Sequence, residues 1–145
     1  MIMQPSTNDY EELIRIWEES VRATHDFITE DDIQFYKPLI LNEYFKMVKL
    51  FCDKDEKQQI TGFMGIAEDK LEMLFVDPAK HGKGIGKKLL TYAITKEKVK
   101  KVDVNEQNEQ AVGFYKHMGF SVVSRSEVDA AGKNYPILSM ELIND

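Results

Sequence analysis

From Val76 the chain reads Val76-Asp77-Pro78-Ala79-Lys80-His81-Gly82-Lys83-Gly84-Ile85-Gly86-Lys87-Lys88-Leu89-Leu90, an apolar run that breaks into glycines and lysines and resumes with helical spacing. Residues of these types in this order suit the binding of an anion. Glycines let a backbone approach the ligand without interference from Cβ, and the first N–H groups of the following helix have no internal acceptors and carry the positive end of the helix dipole. Two common phosphate motifs are excluded by spacing. A P-loop needs a glycine five residues before Gly86, where His81 stands, and a hydroxyl after Lys87, where Lys88 stands. The dinucleotide pattern G-x-G-x-x-G fails because Lys87 follows Gly84 by three, and because the stretch lies past the middle of the chain rather than after a first strand. The competing interpretation is a lysine-rich turn that only solubilises a strand-to-helix connection.

Composition narrows the partners. The 145 residues carry a net charge of −6, which argues against a general binder of nucleic acid or of an anionic membrane surface. Against that acidic background, Lys80, Lys83, Lys87 and Lys88 with His81 concentrate positive charge in one loop, as a small multiply phosphorylated ligand requires. Cys52 is the single cysteine, so no internal disulfide forms; it lies in the strand-like run Val48-Lys49-Leu50-Phe51-Cys52 and is expected to be an ordinary strand residue rather than a nucleophile. No stretch approaches the roughly 20 apolar residues of a membrane span, and a cytoplasmic location is expected.

The elements that position the loop follow from periodicity. Ile2-Met3 begins an edge strand, and Ser6 or Thr7 caps a helix with Tyr10, Leu13, Trp17 and Val21 on one face. After a break at Thr24-His25-Asp26-Phe27, Thr29 caps a second helical region that Pro38 is expected to divide or kink. Met47 to Asp53 and Gln59 to Ala67 read as a hairpin, Leu71 to Val76 as a central strand, and Gly86 to about Lys96 as a helix. A short strand at Val102–Val104, a helix from about Glu109 to His117 ended by Gly119, and strands near Phe120–Ser126 and Tyr135–Ile143 complete the order. The sequence of elements implies an α/β domain, one mixed sheet with helices on both faces, filling residues 1–145 without a linker.

Two separated motifs resemble one family. His81-Gly82-Lys83-Gly84-Ile85-Gly86 after Phe75-Val76-Asp77-Pro78 resembles the Q/R-x-x-G-x-G/A signature of the GNAT superfamily of N-acetyltransferases. Asn108-Glu109-Gln110-Ala111-Val112-Gly113-Phe114-Tyr115-Lys116-His117-Met118-Gly119-Phe120 is similar to its second motif, N-x-x-A-x-x-F-Y-x-x-x-G-F. Closer still, Ala23–Phe27, Val104–Tyr115 and Arg125–Asp129 resemble the YjaB-type bacterial acetyltransferases. The resemblance implies a single GNAT domain, with a mostly antiparallel mixed sheet, a splayed parallel strand pair and helices on both faces. It further implies acetyl-CoA as donor, no metal, and transfer to a primary amine, either a protein lysine or a small molecule. A module that binds acetyl-CoA without turnover stays open as an alternative. One departure stands out: His81 occupies the position of the usual Gln or Arg, replacing a charged or fixed amide contact to the pyrophosphate by an imidazole.

Roles follow from the same resemblance. Main-chain groups of Leu74, Phe75 and Val76 face the donor, and His81, Gly82, Lys83, Gly84, Ile85, Gly86 and Lys87 hold its pyrophosphate. Asn108 contacts the coenzyme arm or serves only as a helix cap. Tyr115 is the family's general acid, protonated at neutral pH because an unperturbed phenol titrates near 10. For removal of the amine proton, Glu72, His25, Asp26 and Asn105 acting through a water are candidates. Phe27 and Tyr135 are expected to wall the acceptor site.

Overall fold

The computed structural model describes residues 1–143, and its contacts divide the chain into two compact units, Met1–Val99 and the part from Lys100 onward. In the first unit the strands β1 (Ile2–Met3), β2 (Lys49–Lys54), β3 (Ile60–Ala67) and β4 (Lys70–Val76) pair in that order, all antiparallel. Helix α1 (Tyr10–Thr24) buries Leu13, Ile14, Ile16, Trp17 and Val21 in a core with Leu50, Cys52, Ile60 and Phe63. Burying side chains of this size contributes about 1.5–3 kcal/mol each. Helix α4 (Ile85–Lys96) covers the opposite face: Tyr92 packs on Phe51 with ring centroids 5.3 Å apart, and a Cβ added to Gly62 would stand 3.0 Å from Ile85. Alternation along β2 and β3 therefore sends Leu50, Cys52 and Phe63 to one helix layer and Phe51 and Gly62 to the other.

Local chemistry moved several expected boundaries. Ser6 caps a short 3₁₀ turn, Thr7–Asp9, its N–H donating to the Asp9 carboxylate at 3.0 Å, and α1 starts one turn later than a direct Ser6 or Thr7 cap implies. Pro38 does not end its helix: α2 (Glu30–Leu39) carries it in the last turn, widens into a π-helical turn at Ile40–Tyr44 and closes with a single turn, α3 (Phe45–Met47). A wider turn is one way to accommodate a missing N–H without reversing the chain. Helical turning then reaches Met47, so β2 starts at Lys49 rather than Met47. Thr29 does cap α2, accepting from the Asp32 N–H at 3.1 Å.

The second unit holds β5 (Lys101–Asn105), α5 (Glu109–His117), β6 (Phe120–Ser126) and β7 (Ile137–Leu142). β7 pairs antiparallel with both β5 and β6. Gly119 ends α5 at φ +102°, the left-handed conformation expected of it. The last strand begins at Ile137, which leaves Tyr135 in the turn after Gly132 rather than in the strand.

Candidate functional site

The glycine loop sits between the end of β4 and the start of α4. Gly82 and Gly84 adopt φ of +84° and +74°, and Gly84 is the residue that caps α4. Nothing lies within 4 Å of where a Cβ would stand at either, so backbone conformation demands glycine here while the space above the turn is open. The first helical bond runs from the Lys88 N–H to the Gly84 carbonyl at 3.0 Å. The N–H groups of Ile85, Gly86 and Lys87 precede it and have no acceptor within the helix, as an anion site at a helix start requires. Gly62 lets this turn press onto the sheet, since a side chain there would collide with Ile85 and with the Phe75 carbonyl, each 3.0 Å away. An anionic pyrophosphate fits the open turn and its free amides.

The lysine cluster is smaller than the sequence implied. Lys88 Nζ lies 2.6 Å from Asp53 Oδ1 and Lys80 Nζ 3.6 Å from Asp55, so both are engaged with carboxylates. Lys83 and Lys87 are exposed and have no such partner among the described residues. The positive charge offered to a ligand therefore comes from these two lysines. His81 is exposed and closes the Pro78–Lys80 turn, its N–H donating to the Pro78 carbonyl at 3.2 Å.

Leu74, Phe75 and Val76 are half-buried at the end of β4, opposite Met64, Phe63 and Gly62 of β3, and lead directly into the loop. One residue earlier the pairing changes register, from Gly65–Met73 to Ile66–Leu71, which leaves Glu72 as the extra residue of a β-bulge. The unbroken alternation of Leu71, Met73 and Phe75 gave no sign of it. Glu72 is exposed and lies 3.5 Å from Lys70.

In the second unit, Tyr115 is 6% exposed and faces Phe114 and Phe120, with ring centroids 5.3 and 5.9 Å away. Burial pushes its phenol above the ordinary value, which keeps it protonated. Its hydroxyl has no hydrogen-bond partner among the described residues, and no buried side-chain oxygen there lacks one, so this hydroxyl must reach the surface. Asn108 caps α5, its Oδ1 accepting from the Ala111 N–H at 3.2 Å. Asn105 ends β5 with its Oδ1 accepting from the Gln107 N–H at 2.9 Å. Tyr135 is half-buried in the Gly132 turn.

His25, Asp26 and Phe27 share the loop between α1 and α2. His25 Nδ1 lies 2.7 Å from Thr24 Oγ1, and its ring packs at 5.1 Å on Phe27. Burial lowers its pKa and the nearby Asp26 charge only partly opposes this, so the neutral, proton-accepting imidazole is favoured. Cys52 is fully buried and its thiol is pushed up to about 11 by burial, the signature of a strand residue and not of a nucleophile. Among the described residues no helix is long and apolar enough to cross a membrane, and no group of three His, Cys, Asp or Glu is placed to hold a metal ion.

Periodicity and motif spacing passed over two acids, Asp53 and Asp77, both buried beneath the loop. A signal was available for Asp53, a charge closing the apolar run Leu50-Phe51-Cys52.

Comparison with known proteins agrees with this geometry. Residues 13–142 match the acetyltransferase (GNAT) domain. The peptidyl-lysine N-acetyltransferase YjaB of Salmonella typhimurium is 42% identical over 130 residues, covering 90% of this chain and 89% of that protein. Its Escherichia coli counterpart is 41% identical over 133 residues, covering 92% and 90%. The solution structure of apo YjaB from Escherichia coli superposes with a TM-score of 0.88 at 38% identity, covering 100% of this chain and 98% of that one. The PaiA N-acetyltransferase of Thermoplasma acidophilum, solved with coenzyme A, shares the fold at a TM-score of 0.74 and 23% identity, covering 97% and 98%.

Proposed function

The chain belongs to the GNAT superfamily of acetyltransferases, and from that premise we propose that it moves the acetyl group of acetyl-CoA directly to lysine side chains of proteins. The observation that carries the donor half is the pair of left-handed glycines before three amides, at the start of α4, that have no acceptor within the helix. The lysine acceptor is supported by the two relatives named as peptidyl-lysine N-acetyltransferases at 41% and 42% identity. We take residues 1–145 to work as one catalytic domain in the cytoplasm, where a lone thiol such as Cys52 stays reduced.

Acetyl-CoA supplies an activated thioester, so no acyl-enzyme is needed. The amides of Ile85, Gly86 and Lys87, with Gly82 and Gly84 shaping the turn and Lys83 and Lys87 adding charge, hold the pyrophosphate. Main-chain groups of Leu74, Phe75 and Val76 orient the arm and polarise the thioester carbonyl. Tyr115, kept protonated by burial, gives its proton to the departing sulfur. Asn108 contacts the coenzyme arm and, through its Oδ1 cap, fixes the start of the helix that carries Tyr115.

The acceptor lysine must lose a proton, because with a pKa near 10.4 it is neutral only about once in two or three thousand molecules at pH 7. We assign this step to His25, whose imidazole burial keeps neutral, in preference to Glu72, an exposed carboxylate 3.5 Å from Lys70. Asp26 tempers the imidazole and Phe27 flanks the aliphatic stem of the lysine, while in the second unit Asn105 orients water at the end of β5.

Thiol release from acetyl-CoA, measured with lysine peptides and a panel of small amines, tests the assignment. Lysine peptides should give the fastest release. Faster turnover of a small amine would move the acceptor class, and binding of acetyl-CoA without release by any amine would make the chain a sensor.

A further inference from the structure

Four polar or charged side chains are buried among the described residues, and three of them, on Asp53, Thr61 and Asp77, belong to residues linked in one line, Asp77 to Thr61 through the main chain and Thr61 to Asp53 through side chains. Asp77, 7% exposed, stands where β4 ends and the loop begins. Its Oδ1 accepts from the Ala79 N–H at 3.0 Å, fixing the Pro78–Lys80 turn, and its Oδ2 accepts from Arg15 Nη2 of α1 at 3.1 Å. Its own N–H donates to the Thr61 carbonyl at 2.9 Å. The Thr61 hydroxyl, on β3, donates to Asp53 Oδ2 at 2.6 Å. Asp53, 4% exposed, accepts from Lys88 Nζ at 2.6 Å, and the Met1 amine lies 3.1 Å away. Lys88 belongs to the first turn of α4, where the loop ends.

We propose that the line Arg15–Asp77–Thr61–Asp53–Lys88 is a clamp whose members are positioning residues for donor binding: Asp77 sets where the glycine loop leaves the sheet and Lys88 sets where α4 takes over. The clamp rests on the assignment of the donor to this loop. None of its side chains needs to touch the donor. Between the two anchors the loop contains Gly82 and Gly84, which resist deformation poorly because glycine constrains the backbone least. With the ends fixed, the amides of Ile85, Gly86 and Lys87 hold one arrangement before the ligand arrives, and less ordering cost remains to be met on binding. Buried carboxylates can impose such a geometry because leaving either one unpaired is costly.

The experiment compares coenzyme A affinity by calorimetry and the acetyl-CoA dependence of turnover for the wild type, Asp53→Asn, Lys88→Gln and Thr61→Val. A purely electrostatic role predicts opposite signs: losing the Asp53 charge would tighten binding of the polyanion and losing the Lys88 charge would weaken it. The clamp predicts that all three variants weaken binding and raise KM for acetyl-CoA, about tenfold or more for Asp53→Asn, or ~1.4 kcal/mol. Turnover at saturating donor stays within about twofold, and Lys88→Arg restores affinity. Asp53→Asn with unchanged or tighter binding overturns the proposal, as does a fall in turnover equal to the rise in KM. If Asp53→Asn does not fold, Thr61→Val decides, because it removes one hydroxyl and no charge; unchanged affinity there is equally fatal. Failure of the wild type to bind coenzyme A would instead refute the donor assignment itself.

Discussion

The loop from Asp77 to Lys88 and the loop from Thr24 to Thr29 lie in the same unit, yet they are built on different principles. The first is held at both ends by buried carboxylates, Asp77 and Asp53, and the chemistry proposed for it resides in main-chain amides that follow two left-handed glycines. The second is held by local bonds: His25 N–H to the Val21 carbonyl at 2.8 Å, Ile28 N–H to the His25 carbonyl at 3.1 Å, and Thr29 at the start of α2. Its flanks are tied by exposed ion pairs, Arg22 bridging Glu18 at 2.7 Å and Glu30 at 2.9 Å. Exposed pairs of that kind are worth about 0–1 kcal/mol. A site that grips an invariant diphosphate gains from a rigid backbone; a site that admits varied acceptor surfaces gains from side chains on a locally supported turn.

Separating the chemistry from both loops gives the largest expected effect. Tyr115→Phe should lower turnover by about 10²–10³-fold while coenzyme A binding, read by calorimetry, stays within about twofold. A variant that keeps wild-type turnover would take Tyr115 out of the reaction. Next comes Gly84→Val, which forces a β-branched residue into φ +74°. The strain of about 2 kcal/mol should cost roughly thirtyfold in coenzyme A affinity and leave KM for a lysine peptide nearly unaltered.

Phe27→Ala is the reciprocal experiment. It should raise KM for the lysine peptide by roughly tenfold, with donor affinity unchanged, since truncating the ring removes apolar contact with the lysine stem and with the His25 ring but none with the donor. If Phe27→Ala and Gly84→Val both impaired both ligands, the division between the two loops would be wrong.

The comparison is also legible in which parts of the sequence spoke. The proposed donor loop announced itself because left-handed backbone selects glycine and a helix start selects a recognisable cap, so Gly82 and Gly84 could be read without a structure, whereas Gly86 lies inside α4. The α1–α2 loop has no such constraint. His25, Asp26 and Phe27 suit a turn as well as a site, and only burial separates the neutral imidazole of His25 from an ordinary surface histidine. The clamp was hidden for another reason: its members are 15, 53, 61, 77 and 88, brought together by pairing across β2, β3 and β4 and by packing of α1 and α4. Lys80 and Lys88 misled for the same reason, since nothing local shows that Asp55 and Asp53 engage them. The bulge at Glu72 and the π turn after Pro38 likewise belong to tertiary packing, which shifted boundaries by a few residues while leaving the order of elements intact.

Smaller effects sharpen the contrast further. Burial lowers the His25 pKa in the folded chain, so between that value and about 6.5 the unfolded state binds more protons than the folded one. Stability therefore rises with pH through that window and is lost on acidification. His25→Gln should flatten this dependence in denaturant titrations at several pH values, and should also remove the acidic limb of the rate profile. The smallest change is expected at His81→Arg, which should hold or tighten acetyl-CoA affinity, by no more than about threefold, because the added cation is exposed and screened. Loss of affinity in that variant would mean that the imidazole itself makes a contact a guanidinium cannot replace.

The most direct test of the account is a titration of the chain with coenzyme A followed through its backbone amide resonances. The account predicts saturable shifts concentrated on Gly82 to Lys87, with the amides of Ile85, Gly86 and Lys87 moving most and Gly84→Val abolishing the response at the same ligand concentration. Shifts centred on any other segment, or no shifts at all in a folded chain, would contradict it.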